Sequence, residues 1–320
     1  MEMYLSILGG LALLVAGGEM LVRGAVAIAR RLGVSPLLIG LTLVGFGTST
    51  PELVTSVTAA LEDSPGIAVG NIVGSNTANI LLILGFAAFI HPIRVEPKGF
   101  RRDAAWVMAA TLVLLALVML GCIGRLAGSI MIAALVAYVF HVYRTERSAP
   151  AIANKASQTI GEQAAAPARS WLAGVMCAAG ITATILGANL LVEGAITLAR
   201  RLAISETVIG LTIVAVGTSL PELVTSLVAA WRRQSDIAYG NIVGSNIYNI
   251  LFILGVTALA RPVAISAQIA GLDVWVMLAA TALLVFFGWS GWILSRWEAT
   301  VFIASYAVYI WYIVTTFAAA

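Results

Sequence analysis

The sequence predicts an all-α polytopic membrane protein, with ten transmembrane helices arranged as two inverted five-helix repeats. Three observations lead there. Hydrophobic residues make up 61% of the 320 and charged residues only 10%, with a mean hydropathy of +1.00, whereas a soluble domain carries roughly 25% charged residues. Ten apolar runs are long enough to approach or exceed the about 20 residues that cross a bilayer. Two polar strings recur at a constant offset of 170.

The runs cover 3–29, 36–61, 67–91, 103–121, 126–143, 171–199, 205–231, 237–260, 270–290 and 298–317. The first follows Met1-Glu2-Met3-Tyr4, which lacks a basic n-region, and it is longer than the ~7–15 apolar residues of a signal peptide, so it reads as a retained span. The stretch 144–170, rich in Ala, Ser, Pro and Gln, reads as a polar linker between a first repeat at 1–143 and a second at 171–320. With ten spans both termini share one side. Fourteen of the 18 Lys and Arg lie in or beside loops 1–2, 3–4, 5–6, 7–8 and 9–10. That bias puts those loops in the cytoplasm and both termini outside it, as in a multi-pass cell (inner) membrane protein. The net charge of +3 is spread over loops that face anionic lipid and forms no footprint for nucleic acid. Cys122 and Cys177 have neither metal-site nor disulfide spacing.

The repeated strings carry the chemistry. Gly47-Thr48-Ser49-Thr50-Pro51-Glu52-Leu53-Val54-Thr55-Ser56 recurs as Gly217 to Ser226 with one change, and Gly70-Asn71-Ile72-Val73-Gly74-Ser75-Asn76 recurs unchanged as Gly240 to Asn246. Five spans per copy is an odd number, so the second copy enters the membrane from the opposite side. Many secondary transporters are built this way, with the binding site near the midplane at the repeat interface.

Glu52 and Glu222 fall deep in spans two and seven. A carboxylate at that depth costs at least ~2.5 kcal/mol and needs a partner. No Lys or Arg is within reach along spans two, three, seven and eight, so each acid is either protonated, as in a helix-to-helix hydrogen bond, or faces a cation. Pro51 and Pro221 precede the acids; each lacks an N–H and clashes with the carbonyl four residues earlier, at Gly47 and Gly217. That predicts a bend that frees carbonyls such as Thr48 and Thr218, with Gly45 loosening the first copy further. Irregular backbone at this depth lines a cavity or packs against protein. Asn71, Ser75 and Asn79, and their mates Asn241, Ser245 and Asn249, recur every four residues and so share a helical face. Helix-to-helix glue and ligand roles both remain open for them.

All of these groups are hard oxygens, which argues against zinc, copper or iron. Calcium takes about 6–8 oxygens in flexible geometry. Four carboxylate oxygens and the Thr48 and Thr218 carbonyls suit it, while Ser49, Ser75, Ser219 and Ser245 add neutral oxygens matched to monovalent ions. The strings Gly-Thr-Ser-x-Pro-Glu and Gly-Asn-Ile-Val-Gly-Ser-Asn, each present twice, resemble the repeats of the sodium/calcium exchanger family within the cation/calcium antiporters, in its prokaryotic type. The resemblance implies a calcium site at Glu52, Glu222, Thr48 and Thr218. It implies sodium or shared positions at Ser49, Ser75, Ser219, Ser245 and the Gly45 and Ala215 carbonyls, with Asn79 and Asn249 completing the centre. Some relatives carry Asp at the place of Asn249. The family also implies that helices one and six slide against the other eight. Glu19 and Arg23 in span one could pair, or exchange partners with Asn189 and Glu193.

Charge then sets the expected activity. Two ionised glutamates give an empty site of about −2, which is unfavourable to move through a low-dielectric core; one calcium, or competing sodium ions, neutralises it. Only a loaded site crosses, so calcium and sodium are exchanged by alternating access. Calcium/proton antiport is the alternative, and a channel is the weaker rival. An intramembrane hydrolase lacks a base, because His91 and His141 sit at span ends. The expectation is therefore a transporter acting as a single copy in the bilayer, with Ca2+ and Na+ as substrates, no cofactor and no enzymatic activity.

Overall fold

The computed structural model describes residues 2–147, 170–201, 215–266 and 268–317. In chain order the elements are α1 (Glu2–Leu32), α2 (Pro36–Thr48), α3 (Thr50–Leu61), α4 (Pro65–Ile90), β1 (Ile93–Arg94), α5 (Pro97–Met119), β2 (Cys122–Ile123) and α6 (Arg125–Arg147). After residue 170 come α7 (Ser170–Arg201), a turn at Ala215–Gly217, α8 (Leu220–Trp231), α9 (Ser235–Ala260), β3 (Val263–Ala264), α10 (Ile269–Gly291), β4 (Ile293–Leu294) and α11 (Arg296–Phe317). Among the described residues eight helices are long and apolar enough to cross a membrane, and the bent pair α2–α3 makes a ninth. The expected span 205–231 falls partly on 202–214 and the linker 144–170 mostly on 148–169, outside the described residues; what remains of that span is the apolar α8. The protein is a helical, multi-pass membrane protein.

Local chemistry sets the breaks. α1 stops at Gly33, whose φ of +63° suits a residue without Cβ. Ser35 then caps α2, its hydroxyl accepting from Leu38 N at 3.1 Å, with Pro36 in the first turn. The expected bend at Pro51 is a break: α2 and α3 meet at 45° around Ser49. The Gly47 carbonyl, displaced by the proline ring, accepts from Thr50 Oγ1 at 3.0 Å. Ser219, with φ −90° and ψ 9°, repeats the Ser49 conformation of φ −81° and ψ 11°. The runs read as regular helix also contain π-turns, at Gly40–Val44, Asn79–Leu84, Asn249–Ile253 and Ile269–Asp273. Such turns are rare and gather at functional sites.

α4 and α9 form the centre: 78% and 83% of their most apolar windows are buried, against 17% for α11. α1 and α7 lie together along one side, through a seam of glycines spaced seven apart. A Cβ at Gly10 would stand 2.7 Å from the Gly187 carbonyl, and one at Gly187 2.8 Å from that of Gly10, so both positions require glycine for this approach. Two short antiparallel ladders close the ends, β1 with β4 (Ile93 opposite Leu294) and β2 with β3 (Cys122 opposite Ala264).

Candidate cation site

The broken helices and the π-turns converge where α3 and α8 face α4 and α9. Glu52 and Glu222, three residues past Ser49 and Ser219, have no exposure. Each is held by the serine of the other sequence copy: Ser49 Oγ donates to Glu222 Oε1 at 2.9 Å, and Ser219 Oγ donates to Glu52 Oε1 at 3.1 Å. Ser75 and Ser245 complete the ring. Ser75 lies 3.2 Å from Ser219 Oγ, while Ser245 Oγ reaches Glu222 Oε1 at 3.5 Å and the Gly45 carbonyl at 3.4 Å.

The threonine hydroxyls turn elsewhere. Thr48 Oγ1 donates to Val44 O at 3.1 Å and lies 3.2 Å from Asn241 Oδ1, and Thr218 Oγ1 lies 3.4 Å from Asn71 Oδ1. Ala215 opens the described turn before Thr218. Asn71 and Asn241 do not share a partner with Asn79 and Asn249, despite the common spacing. Asn71 Nδ2 donates to Glu52 O at 3.3 Å and Ser56 Oγ at 3.0 Å, and Asn241 Nδ2 to Glu222 O at 3.3 Å and Ser226 Oγ at 2.9 Å. They brace the breaks. Asn79 and Asn249 instead open the π-turns of α4 and α9, and eight residues of regular helix turn them by about 80° from Asn71 and Asn241, toward the centre.

Among the described residues seven buried side-chain oxygens have no hydrogen-bond partner: the Tyr138, Thr225 and Tyr239 hydroxyls, and Glu52 Oε2, Glu222 Oε2, Asn79 Oδ1 and Asn249 Oδ1. Each orphaned acceptor costs about 1–3 kcal/mol, more where it carries charge. The last four are two pairs at the repeat offset, and as acceptors they are the kind of group that a cation would satisfy together. Among the described residues no three His, Cys, Asp or Glu side chains gather. A small cleft lined by Phe46, Thr50, Leu53, Tyr248, Phe252 and Ile253 leads to Ser49.

The family model described as sodium/calcium exchanger protein matches residues 3–144 and 172–315. The chain belongs to that family. It is 34% identical to the sodium/calcium exchanger MaX1 of Methanosarcina acetivorans, over 96% of this chain and 97% of that protein. It is 35% identical to the inner membrane protein YrbG of Escherichia coli, over 88% and 86%. Its fold matches a solved structure of the sodium-calcium exchanger NCX_Mj soaked with Na+ and Sr2+, at a TM-score of 0.83 and 31% identity over 97% of each chain.

Sequence reasoning missed several of this exchanger's polar contacts. Ser56 and Ser226 end the duplicated strings but had no role assigned. Asn76 and Asn246 stood in plain view in the second string. Glu19 pairs with Arg23, as the spacing allowed, but also with Arg232 at the end of α8, a partner 213 residues away. Cys122 is exposed and Cys177 buried, both as free thiols.

Proposed function

We propose that this member of the exchanger family is a secondary antiporter, not an enzyme, exchanging Ca2+ for Na+ at the site between Glu52 and Glu222. The observation that carries the reading is the set of four orphaned, buried oxygens on Glu52, Glu222, Asn79 and Asn249, two of them on carboxylates that make no ion pair among the described residues. Calcium draws on Glu52, Glu222 and the Thr48 and Thr218 carbonyls. Sodium ions draw on the serines, the Gly45 and Ala215 carbonyls and the same glutamates, with Asn79 and Asn249 shared. Because the two loads use common oxygens they compete, and the empty site of about −2 stays where it is. The similarity to MaX1 and NCX_Mj, both named sodium/calcium exchangers, supports sodium over protons as the counter-ion.

The architecture belonging to this reading is ten helices in two inverted repeats, 1–143 and 171–320, joined by a linker at 144–170. Its support is the strand pairing. β1, after the third expected span, pairs with β4, between the ninth and tenth, while β2 pairs with β3. Inverted copies put each of those loop pairs on one side; parallel copies would part them. α1 and α7, locked by their glycine seam, are the pair that slides to switch access, and one copy of the chain suffices.

The test is calcium uptake into proteoliposomes. Uptake should require an outward sodium gradient and should not follow a pH gradient of equal size. Uptake driven by protons alone would replace sodium with H+, and flux without any counter-ion would make the protein a channel. Orientation has its own check: with Cys122 and Cys177 replaced, Ser157→Cys should resist an impermeant thiol reagent in intact cells. Labelling from outside would exchange the two sides.

A further inference from the structure

Asn76 and Asn246 are 1% exposed and belong to opposite sequence copies. Each donates its Nδ2 to the main-chain carbonyl of the other, Asn246 to Asn76 O at 3.3 Å and Asn76 to Asn246 O at the longer 3.5 Å. A main-chain carbonyl can only accept, so the nitrogen end of each carboxamide is assigned by its partner's backbone and the oxygen end points the other way. Those oxygens are occupied too. Asn76 Oδ1 accepts from Asn249 Nδ2 at 3.0 Å, and Asn246 Oδ1 accepts from Asn79 Nδ2 at 2.9 Å. Asn249 and Asn79 must therefore show their N–H ends to this bracket. Their Oδ1 atoms face away from it, and those are two of the orphaned oxygens.

We infer that Asn76 and Asn246 are positioning residues that fix which end of Asn249 and Asn79 meets the transported cation, and that they restrict both positions to amides. The inference rests on the cation-site reading above and specifies its selectivity. An ionised Asp at 249 has no hydrogen to give. Its carboxylate would stand against Asn76 Oδ1, acceptor against acceptor, at the 3.0 Å now bridged by a hydrogen bond. Flipping the Asn76 amide cures that contact but turns its Oδ1 onto the Asn246 carbonyl. The conflict moves and does not disappear. Asn at 249 is thus tied to Asn at 76, and the formal charge of the centre is held at −2 by two residues that touch no ion themselves. A chain with an acid at 249 needs a donor at 76 that is free to turn.

The experiment is a double-mutant cycle. Asn249→Asp, Asn76→Ser and the double variant are purified, together with the mirror set Asn79→Asp, Asn246→Ser and their double. Calcium binding is measured by titration calorimetry, and calcium/sodium exchange in proteoliposomes supplies the apparent KM and maximal rate. A serine hydroxyl at 76 can rotate and donate to a carboxylate. Asn249→Asp alone should weaken calcium binding by about tenfold or more, the scale set by one lost and one repelled hydrogen-bonding group near charge. Asn76→Ser should raise the apparent KM for calcium by about three- to tenfold while the maximal rate stays within about twofold, since one oriented oxygen is lost and nothing else. The double variant should bind calcium better than Asn249→Asp by at least about fivefold, a coupling of the size seen for residues in direct contact. Additive losses in both mirror sets, or full calcium affinity in Asn249→Asp, overturn the bracket. A variant that is no longer monodisperse is replaced by its mirror, so the cycle still reads out. Failure of the site itself is separate: Glu52→Gln would then leave calcium binding intact, whatever the asparagines do.

Discussion

The centre of the exchanger and its jacket follow different rules. At the centre almost every contact has a counterpart 170 residues away: Ser49 to Glu222 mirrors Ser219 to Glu52, and Asn249 to Asn76 mirrors Asn79 to Asn246. Around it the α1–α7 glycine seam keeps its counterparts, Gly10 against Gly187 mirroring Gly180 against Gly17, but other contacts do not. Gly47 faces Ile181 and Gly217 faces Val192, so α7 covers both motif glycines. The corresponding residues of α1, Leu11 and Val22, cover neither. Glu19 is paired with Arg232, whereas the residues at the matching positions, Asn189 and Glu62, carry no opposite charges. The cleft to Ser49 is walled by Phe46, Tyr248 and Phe252, whose counterparts are Val216, Ala78 and Leu82. On the proposed inverted arrangement this division has a reason. A cation must meet the same ligands from either side, so the ligand set is symmetric. Under the proposed alternating access only one side is open at a time, so the contacts that close a side need not be symmetric.

The sharpest way to break the comparison is at the carboxylates. Glu52→Gln and Glu222→Gln should each abolish sodium-driven calcium flux at normal expression, because each leaves about −1 facing a divalent ion and trades an acceptor for a donor. If one variant transports well and the other does not, the centre is not symmetric in function. Next come the crossed serines. Ser49→Ala and Ser219→Ala each delete a hydrogen bond to a carboxylate, worth about 1.5–3 kcal/mol, so the apparent calcium affinity should fall by about 10- to 100-fold. The two losses should agree within about threefold; a wider gap in titrations of purified protein would mean that one serine alone faces the ion. The smallest effect is expected in the jacket. Arg232→Gln removes Glu19's long-range partner and should change the exchange rate by about two- to fivefold, the range of partly exposed ion pairs. Glu62→Gln, at the corresponding place, should change nothing. Equal effects in rate assays at low salt would show that the flank is as symmetric as the centre.

The sequence made the centre legible because buried acids are rare in a bilayer and these two lie in the same duplicated string beside a proline. Glu52, Glu222 and the four serines needed no coordinates to be singled out. The proline also announced the break before Glu52, although its position at Ser49 and its angle did not follow from it. The π-turns left no mark: Asn79 and Asn249 looked like the continuation of the Asn71 and Asn241 faces. The drift of about 80° over eight helical residues and the partners from the other copy separated them into one pair that braces the breaks and another that crosses the centre. Arg232 was equally hidden, since a charge at a helix end is ordinary and nothing local ties it to Glu19.

Composition, apolar run length and the 170-residue repeat determined that this chain crosses a membrane many times and carries two copies of one polar motif. Those properties are local or periodic, and they survive in any arrangement of the helices. Which end of each asparagine faces inward, which serine serves which glutamate, and which flank is closed were decided only by the packing of α3, α4, α8 and α9 against one another. Each of these depends on a partner from the other half of the chain. A hydrogen bond over 144–173 residues of sequence is fixed by a crossing of two helices, and no pattern within either helix encodes where that crossing falls.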